Sequence, residues 1–451
     1  MLKKKLQTYR EALNKRPLLF VSSTYLIFSI VLMLILKTPF VLNDGVELSF
    51  LDNFFTSVSA LTTTGLSTID INEVFNYFGW LALIVTFNIG GVGIIVTNTT
   101  ILLLLGRKIG ISNRLLSKLD LNRMDMRDIA SITRRIIFIF WSVELIGAVL
   151  VFLQLGSSGL HGMDRFMNAW FMSASAVSGS GFYNTVPYVG NYSLQWTLIV
   201  LMIFSFIGYP VILDLQEKYK SWRRGGFYRM STFSKIVIKV NVATLLLFMF
   251  VFFGLERNGT MAGMSLFQQL QYSAFMSVST KSVGLSMFGD FTAFHPITLV
   301  FYTIFMIIGG SPSSACGGVK VISIYVIYKH IASLIKRDGE VLFYNFKLGT
   351  ESILKSYALV VSFIGLSAAS TLFILFMQPT LNNLYVWFDV VSGYTTTGFS
   401  TGALAEFNDI GILLVAILML VGRVGIINLF GASSEIGEKS RVKRIEKELA
   451  I

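Results

Sequence analysis

Long apolar runs, separated by short polar connections, dominate the chain. Eight of them stand out: Leu18–Leu36, Tyr77–Leu105, Ile136–Leu155, Leu194–Leu213, Val240–Leu255, a run from Ile297 onward, Tyr357–Met377 and Ile410–Leu429. A helix needs about 20 apolar residues to cross a hydrocarbon core of roughly 30 Å, and these runs scatter around that length. Between the two runs of each successive pair lies a shorter apolar stretch of about ten to twelve residues, too short to span. Each stretch ends in small hydroxylated residues and a glycine: LTTTGLS, VSGSGFY, TKSVGLS and YTTTGFS. The pattern predicts an all-α membrane protein of eight spans, arranged as four helix–half-helix–helix repeats with pseudo-fourfold symmetry around one pore.

Aligning the loops on Gly65, Gly181, Gly284 and Gly398 supports a fourfold duplication. Aromatic pairs then coincide in three repeats (Phe54–Phe55, Trp170–Phe171 and Trp387–Phe388), as does a serine six positions before the glycine (Ser59, Ser175, Ser392). The third repeat lacks the aromatic pair but keeps Ser277 and Ser279. The expected division is a cytoplasmic N-terminus over 1–17, repeat 1 over 18–105, a loop over 106–135 and repeat 2 over 136–213. A loop over 214–235, repeat 3 over 236–335, a loop over 336–356, repeat 4 over 357–430 and a tail over 431–451 complete it.

Composition agrees with membrane residence. With 54% hydrophobic residues, 14% charged residues and a mean hydropathy of +0.68, the chain has too little polar surface to cover itself in water. The net charge of +12 does not point to nucleic acid. Lys and Arg concentrate in 1–16, 106–135, 214–239, 320–355 and 423–451, alternating with acidic connections. Basic loops stay on the cytoplasmic side, so both termini are expected inside. The single cysteine, Cys316, leaves no partner for an intrachain disulfide, and His161, His295 and His330 are far apart in sequence. No nucleotide-binding glycine fingerprint occurs, and no intramembrane acid pair or histidine cluster supports an enzyme.

The loops suit ion conduction. A cation leaving water must exchange its hydration shell for oxygen ligands, which backbone carbonyls supply. Irregular backbone is tolerated at membrane depth only where it is buried in protein or lines water. A half-helix directs its partly negative C-terminal end at the cation, and glycine permits backbone geometry closed to other residues. The candidate filter comprises Thr62, Thr63, Thr64 and Gly65 (strand 62–66), Ser178, Gly179, Ser180 and Gly181 (178–182), Ser282, Val283 and Gly284 (281–285), and Thr395, Thr396, Thr397 and Gly398 (395–399). The residues after each glycine, Leu66, Phe182, Leu285 and Phe399, are expected to wedge each strand against its own repeat. Potassium held by carbonyls is the only metal expected. One glycine per filter implies fewer ordered carbonyl rings, and looser rejection of Na⁺, than paired glycines would give.

The sixth run is interrupted by Gly309, Gly310, Ser311, Pro312, Ser313, Ser314, Ala315, Cys316, Gly317 and Gly318, which cannot sustain a regular helix. The residues alone predict a hinge or a close helix contact. Arg423 falls inside the last run, where a charge costs about 2.5–3.5 kcal/mol on insertion scales. It must face the pore or a partner such as Glu144. Lys281 would repel K⁺ if it entered the permeation path, so it belongs behind the filter, bonded to carbonyls or to Asp290. Asp44, Glu47, Asp52, Asp70, Glu73, Glu406 and Asp409 could concentrate cations at the outer mouth, or simply solvate loops.

Over nearly its whole length the chain resembles the Trk/Ktr/HKT superfamily of potassium transporters, most closely the KtrB-type membrane subunit. The resemblance rests on TTTGL at 62–66, ELIGA at 144–148, IIGGSPSSACGGVK at 307–320 and VGRVG at 421–425. It implies potassium uptake across a bacterial plasma membrane, with 309–318 as a gate loop and Arg423 near it. It also implies a homodimer regulated by a cytosolic RCK-domain subunit (KtrA-like or KtrC-like), with no cofactor in this chain. The basic inner loops could dock that subunit or touch anionic lipid. Repeat 2 departs from the family pattern with SGSGF, and repeat 3 with Lys281 in place of arginine. A Na⁺-permeating or Na⁺-dependent member of the superfamily is the alternative.

Overall fold

The structure, a computed structural model, describes residues 17–93, 96–97, 129–183, 190–337, 341–343 and 346–425. In chain order the helices fall into four groups, numbered here as the repeats expected from the sequence. Repeat 1 contains α1 (Pro17–Leu36), α2 (Phe50–Thr62), the short α3 (Ile71–Val74) and α4 (Tyr77–Val92). Repeat 2 contains α5 (Ile129–Gln154), α6 (Gly162–Ser178), α7 (Tyr192–Ile207) and α8 (Tyr209–Arg223). Repeat 3 has α9 (Thr232–Glu256), α10 (Leu266–Ser279), α11 (Pro296–Ile307) and α12 (Val321–Lys336). After a two-stranded antiparallel hairpin, Leu342–Phe343 with Phe346–Lys347, repeat 4 has α13 (Thr350–Met377), α14 (Asn383–Tyr394) and α15 (Asp409–Val424).

Helices α5, α9 and α13 are long and apolar enough to cross a membrane. Their exposed positions are large and apolar, among them Leu145, Phe250 and Phe376, as expected of surfaces facing lipid. The short helices α2, α6, α10 and α14 are instead buried and rich in hydroxyl groups. Ser49 caps α2 by accepting from the Asp52 N–H, Ser265 and Gln268 form a capping box on α10, and the Asn382 side chain caps α14. Each short helix packs against the first helix of its own repeat. It also packs against the second helix of the preceding one: α4 meets α6, α7 meets α10, α11 meets α14, and α15 meets α2.

The second helices are shorter than the apolar runs suggest. Helix α4 stops at Val92, α7 at Ile207 and α15 at Val424, each followed by a glycine in the left-handed region (Gly93, φ +94°; Gly208, φ +86°; Gly425, φ +90°). At Gly208 the chain turns by 109° into α8, so Leu194–Leu213 is not one straight span. Pro210 reinforces that break because it has no N–H to give. Residues 98–105 and 426–429 of the predicted runs, and the tail 431–451, lie outside the described residues.

On the side carrying the basic loops, Asp214 of α8 accepts from the Tyr228 hydroxyl, from the Ser231 N–H and from the hydroxyls of Ser231 and Ser234. It thereby fixes the turn leading into α9.

Candidate filter and the loop beneath it

Three of the four short helices end under their glycines in the same way, while in repeat 3 the Val283 and Gly284 N–H groups both donate to Ser279 O. In repeat 1 the Thr63 N–H donates to Ala60 O (3.2 Å) and the Thr64 N–H to Ser59 O (2.9 Å), with Thr63 left-handed at φ +53°. This is the glycine-type helix stop, formed here by a threonine. Repeat 4 repeats it, with Thr396 at φ +53° and Thr397 N–H to Ser392 O at 2.9 Å. In repeat 2 the Ser180 N–H bonds Ser175 O at 2.9 Å. The serine aligned six positions before the glycine therefore supplies the carbonyl that closes the turn in these three repeats. The residue two before the glycine is left-handed in all four: Thr63, Gly179 (φ +66°), Ser282 (φ +64°) and Thr396. Repeat 2, whose sequence departs from the family pattern, matches the others in backbone because Gly179 occupies the strained position. A left-handed β-branched residue is an outlier, and such strain persists only where the surroundings over-determine it.

Gly65, Gly181, Gly284 and Gly398 meet one another in cyclic order. A Cβ built on Gly65 would lie 2.5 Å from Ser180 O, and one on Gly181 would lie 2.5 Å from Val283 O. On Gly284 it would overlap Thr397 O, and on Gly398 it would overlap Thr64 O. All four glycines have positive φ, between +73° and +98°. Conformation and space both demand glycine here. The carbonyls of Thr64, Ser180, Val283 and Thr397, one from each loop, are thus brought into a closed circuit. A cavity of about 340 Å³ opens beside it, lined by Gly65, Gly284 and Gly398 together with Asp70 and Tyr183. Of the seven outer acids, Asp70 lines this cavity, whereas Asp44 and Glu47 line a separate hollow.

Three of the residues after the glycines reach beyond their own repeats. Phe182 stacks on Phe87 of repeat 1 (5.4 Å between centroids), Phe399 packs on Phe291 and Tyr302 of repeat 3 (4.9 and 5.7 Å), and Leu66 packs on Gly393 of repeat 4. These three side chains tie their loops to the neighbouring repeat as well, Phe182 also sharing a cluster with Phe171 of its own repeat.

Residues 309–318 run directly beneath the left-handed positions. Thr63 Oγ1 donates to Ala315 O (3.2 Å), the Gly317 N–H reaches the hydroxyl oxygens of Ser282 and Thr396 (3.1 Å each), and the Cys316 thiol donates to Lys281 O. The loop also satisfies the break in repeat 2. Ser311 N–H donates to Phe206 O (2.9 Å) and Ala315 N–H to Ser205 O (3.0 Å), while Tyr209 N–H donates to Ser313 O (3.1 Å). Two interrupted helices supply each other's missing partners, as membrane-buried backbone requires.

Lys281 lies behind the loop, its Nζ donating to Ile308 O at 3.0 Å. Asp290 is not its partner. That carboxylate accepts from Thr292, whose hydroxyl and N–H hold it below the usual range. Arg423 donates to the Tyr25 hydroxyl (3.2 Å) and to Gly90 O. It does not pair with Glu144, which accepts from Trp170 and Asn88.

One contributor is absent from the sequence-based list. Asp389 of α14, fully buried, accepts from Ser400 Oγ (2.7 Å), Thr401 N (2.8 Å), Thr401 Oγ1 (3.1 Å) and Leu404 N (2.9 Å). It secures the chain leaving the repeat 4 glycine.

Buried short helices whose C-terminal loops meet in one circuit, set among long apolar helices, define a helical membrane protein. The chain belongs to the TrkH family of cation transport proteins, whose profile matches residues 21–435. It is 29% identical over 420 residues to the Ktr system potassium uptake protein D of Bacillus subtilis (strain 168), covering 91% of this chain and 92% of that one. It is 26% identical over 418 residues to the Ktr system potassium uptake protein B of the same organism, covering 89% and 88%. Its fold matches the crystal structure of the potassium transporter TrkH from Vibrio parahaemolyticus, with a TM-score of 0.72 at 20% identity over 92% of this chain and 84% of that one.

Proposed function

We propose that the chain is the ion-translocating subunit of a potassium uptake system, in which four repeats enclose one pore. The closed circuit of Gly65, Gly181, Gly284 and Gly398 carries the proposal. Carbonyls of the four loops replace the hydration shell of K⁺. Residues 309–318, pinned to Thr63, Ser282 and Thr396, obstruct the path below, and Arg423 adds a positive barrier beside them. The potassium uptake systems named for the two Bacillus relatives favour K⁺ as the ion. A cytosolic RCK-domain subunit and a second copy of the chain complete the assembly, with both termini cytoplasmic as the basic loops favour.

Expression in a K⁺-uptake-deficient bacterium at limiting K⁺, with and without added Na⁺, tests this. Rescue is expected without Na⁺ being the transported ion, and failure of well-expressed protein to rescue removes the K⁺ assignment. Deleting Gly309–Gly318 is expected to raise flux. Lower flux in folded protein removes the gate.

A further inference from the structure

Glu144 sits in α5, 4% exposed, with no ion-pair partner among the described residues. Its Oε1 accepts from Trp170 Nε1 at 2.8 Å and from Asn88 Nδ2 at 3.4 Å. Its Oε2 is buried with no hydrogen-bond partner, and so is the Oδ1 of the same Asn88. The nearby Ser173 hydroxyl is committed to the backbone carbonyl of Glu144. An ionised carboxylate is acceptor-only at both oxygens and a side-chain amide oxygen is acceptor-only too. Two orphaned acceptors on a pair of side chains already in contact, inside a membrane, lack one donor between them.

We propose that Glu144 binds a proton on Oε2 and donates it to Asn88 Oδ1, making a reciprocal acid–amide pair. The ring is complete in both directions: Asn88 N–H to the acid carbonyl, acid O–H to the amide carbonyl. Trp170 caps the remaining lone pair, and no buried charge is left at the seam between α4, α5 and α6. A metal cation fits less well, because it needs more oxygens than these two. The ionisable groups on the helices packed against α5 do not bond to Glu144. Tyr77 joins Asp164, Arg165 donates to the Phe152 and Leu153 carbonyls, Tyr192 receives Gln268, and on α5 itself Arg135 pairs with Glu217 while Arg134 donates to Ala130 O.

Infrared spectroscopy of the purified full-length protein in detergent decides the matter. The wild-type-minus-E144Q difference is expected to show a protonated-carboxyl C=O band that shifts in D₂O. Asn88→Val is expected to move that band to higher frequency, because the acid loses its acceptor. Ionised-carboxylate bands in the first difference overturn the proposal. If E144Q does not fold, the Asn88→Val comparison stands alone, and an unmoved carboxyl band overturns the pairing.

Discussion

Replacing Gly398 with serine puts the circuit of loops to a direct test. Two penalties arise. At φ +98° an L-residue bears a backbone cost of about 1–2 kcal/mol. The new Cβ also overlaps Thr64 O and comes within 3.3 Å of Gly65 Cα. No rotamer relieves a Cβ collision, so the Thr64 carbonyl must turn aside and the ring loses one of its four oxygens at that level. A loss of about 1.4 kcal/mol in the difference between K⁺ and Na⁺ binding is tenfold in preference, so the variant should discriminate at least tenfold less. The assay is Rb⁺ or K⁺ uptake into proteoliposomes at fixed K⁺ with increasing Na⁺. Gly402→Ser is the control: its φ is +89°, yet nothing lies within 4 Å of its would-be Cβ, so it carries the backbone cost without the collision. Unchanged discrimination in Gly398→Ser, or an equal loss in Gly402→Ser, refutes the reasoning.

Asp389→Asn should lower thermal stability in detergent and weaken apparent K⁺ affinity, because a fully buried acceptor for four donors is replaced by a neutral amide; the cost is about 1.5–3 kcal/mol for hydrogen bonds to a charged group, and an unshifted melting curve counts against it. Lys281→Met removes the donor to Ile308 O and should destabilise the protein by about 1–3 kcal/mol; equal stability with normal conduction contradicts a structural role. For Asp214, burial alone would raise the carboxyl, but donors from Ser231, Ser234 and Tyr228 outweigh it and hold it below the ordinary range. A depressed native value means its stabilisation is complete above the unfolded value of about 4 and is lost as pH falls through the lower native one. Acid unfolding followed by tryptophan fluorescence should therefore flatten in Asp214→Asn, and an identical profile rejects the assignment.

What the sequence reveals depends on how narrowly a position is constrained. Gly65, Gly181, Gly284 and Gly398 are visible because no side chain fits against a neighbouring carbonyl, so all four copies keep the same residue. The left-handed position two residues earlier is hidden, since Thr63, Ser282 and Thr396 adopt it under pressure from the surrounding loops rather than by propensity, and only repeat 2 marks it with a glycine, Gly179. The Gly208 break is lost within an apolar run, although the following Tyr209–Pro210 is a usable signal. Phe182 and Phe399 are legibly buried, but an apolar residue does not announce which neighbour it will face. Asp389 reads as an ordinary helix acid until the hydroxyls of Ser400 and Thr401 are seen folding back on it.

Because each of the four glycines abuts the oxygen of the next loop, no quarter of the ring can drift independently. A substitution that nudges one strand hands its displacement onward until it returns to its origin, so paired changes in adjacent quarters should show strong epistasis. Mutual contact makes the four loops interdependent, and a loop transplanted from one quarter to another would arrive with the wrong neighbours.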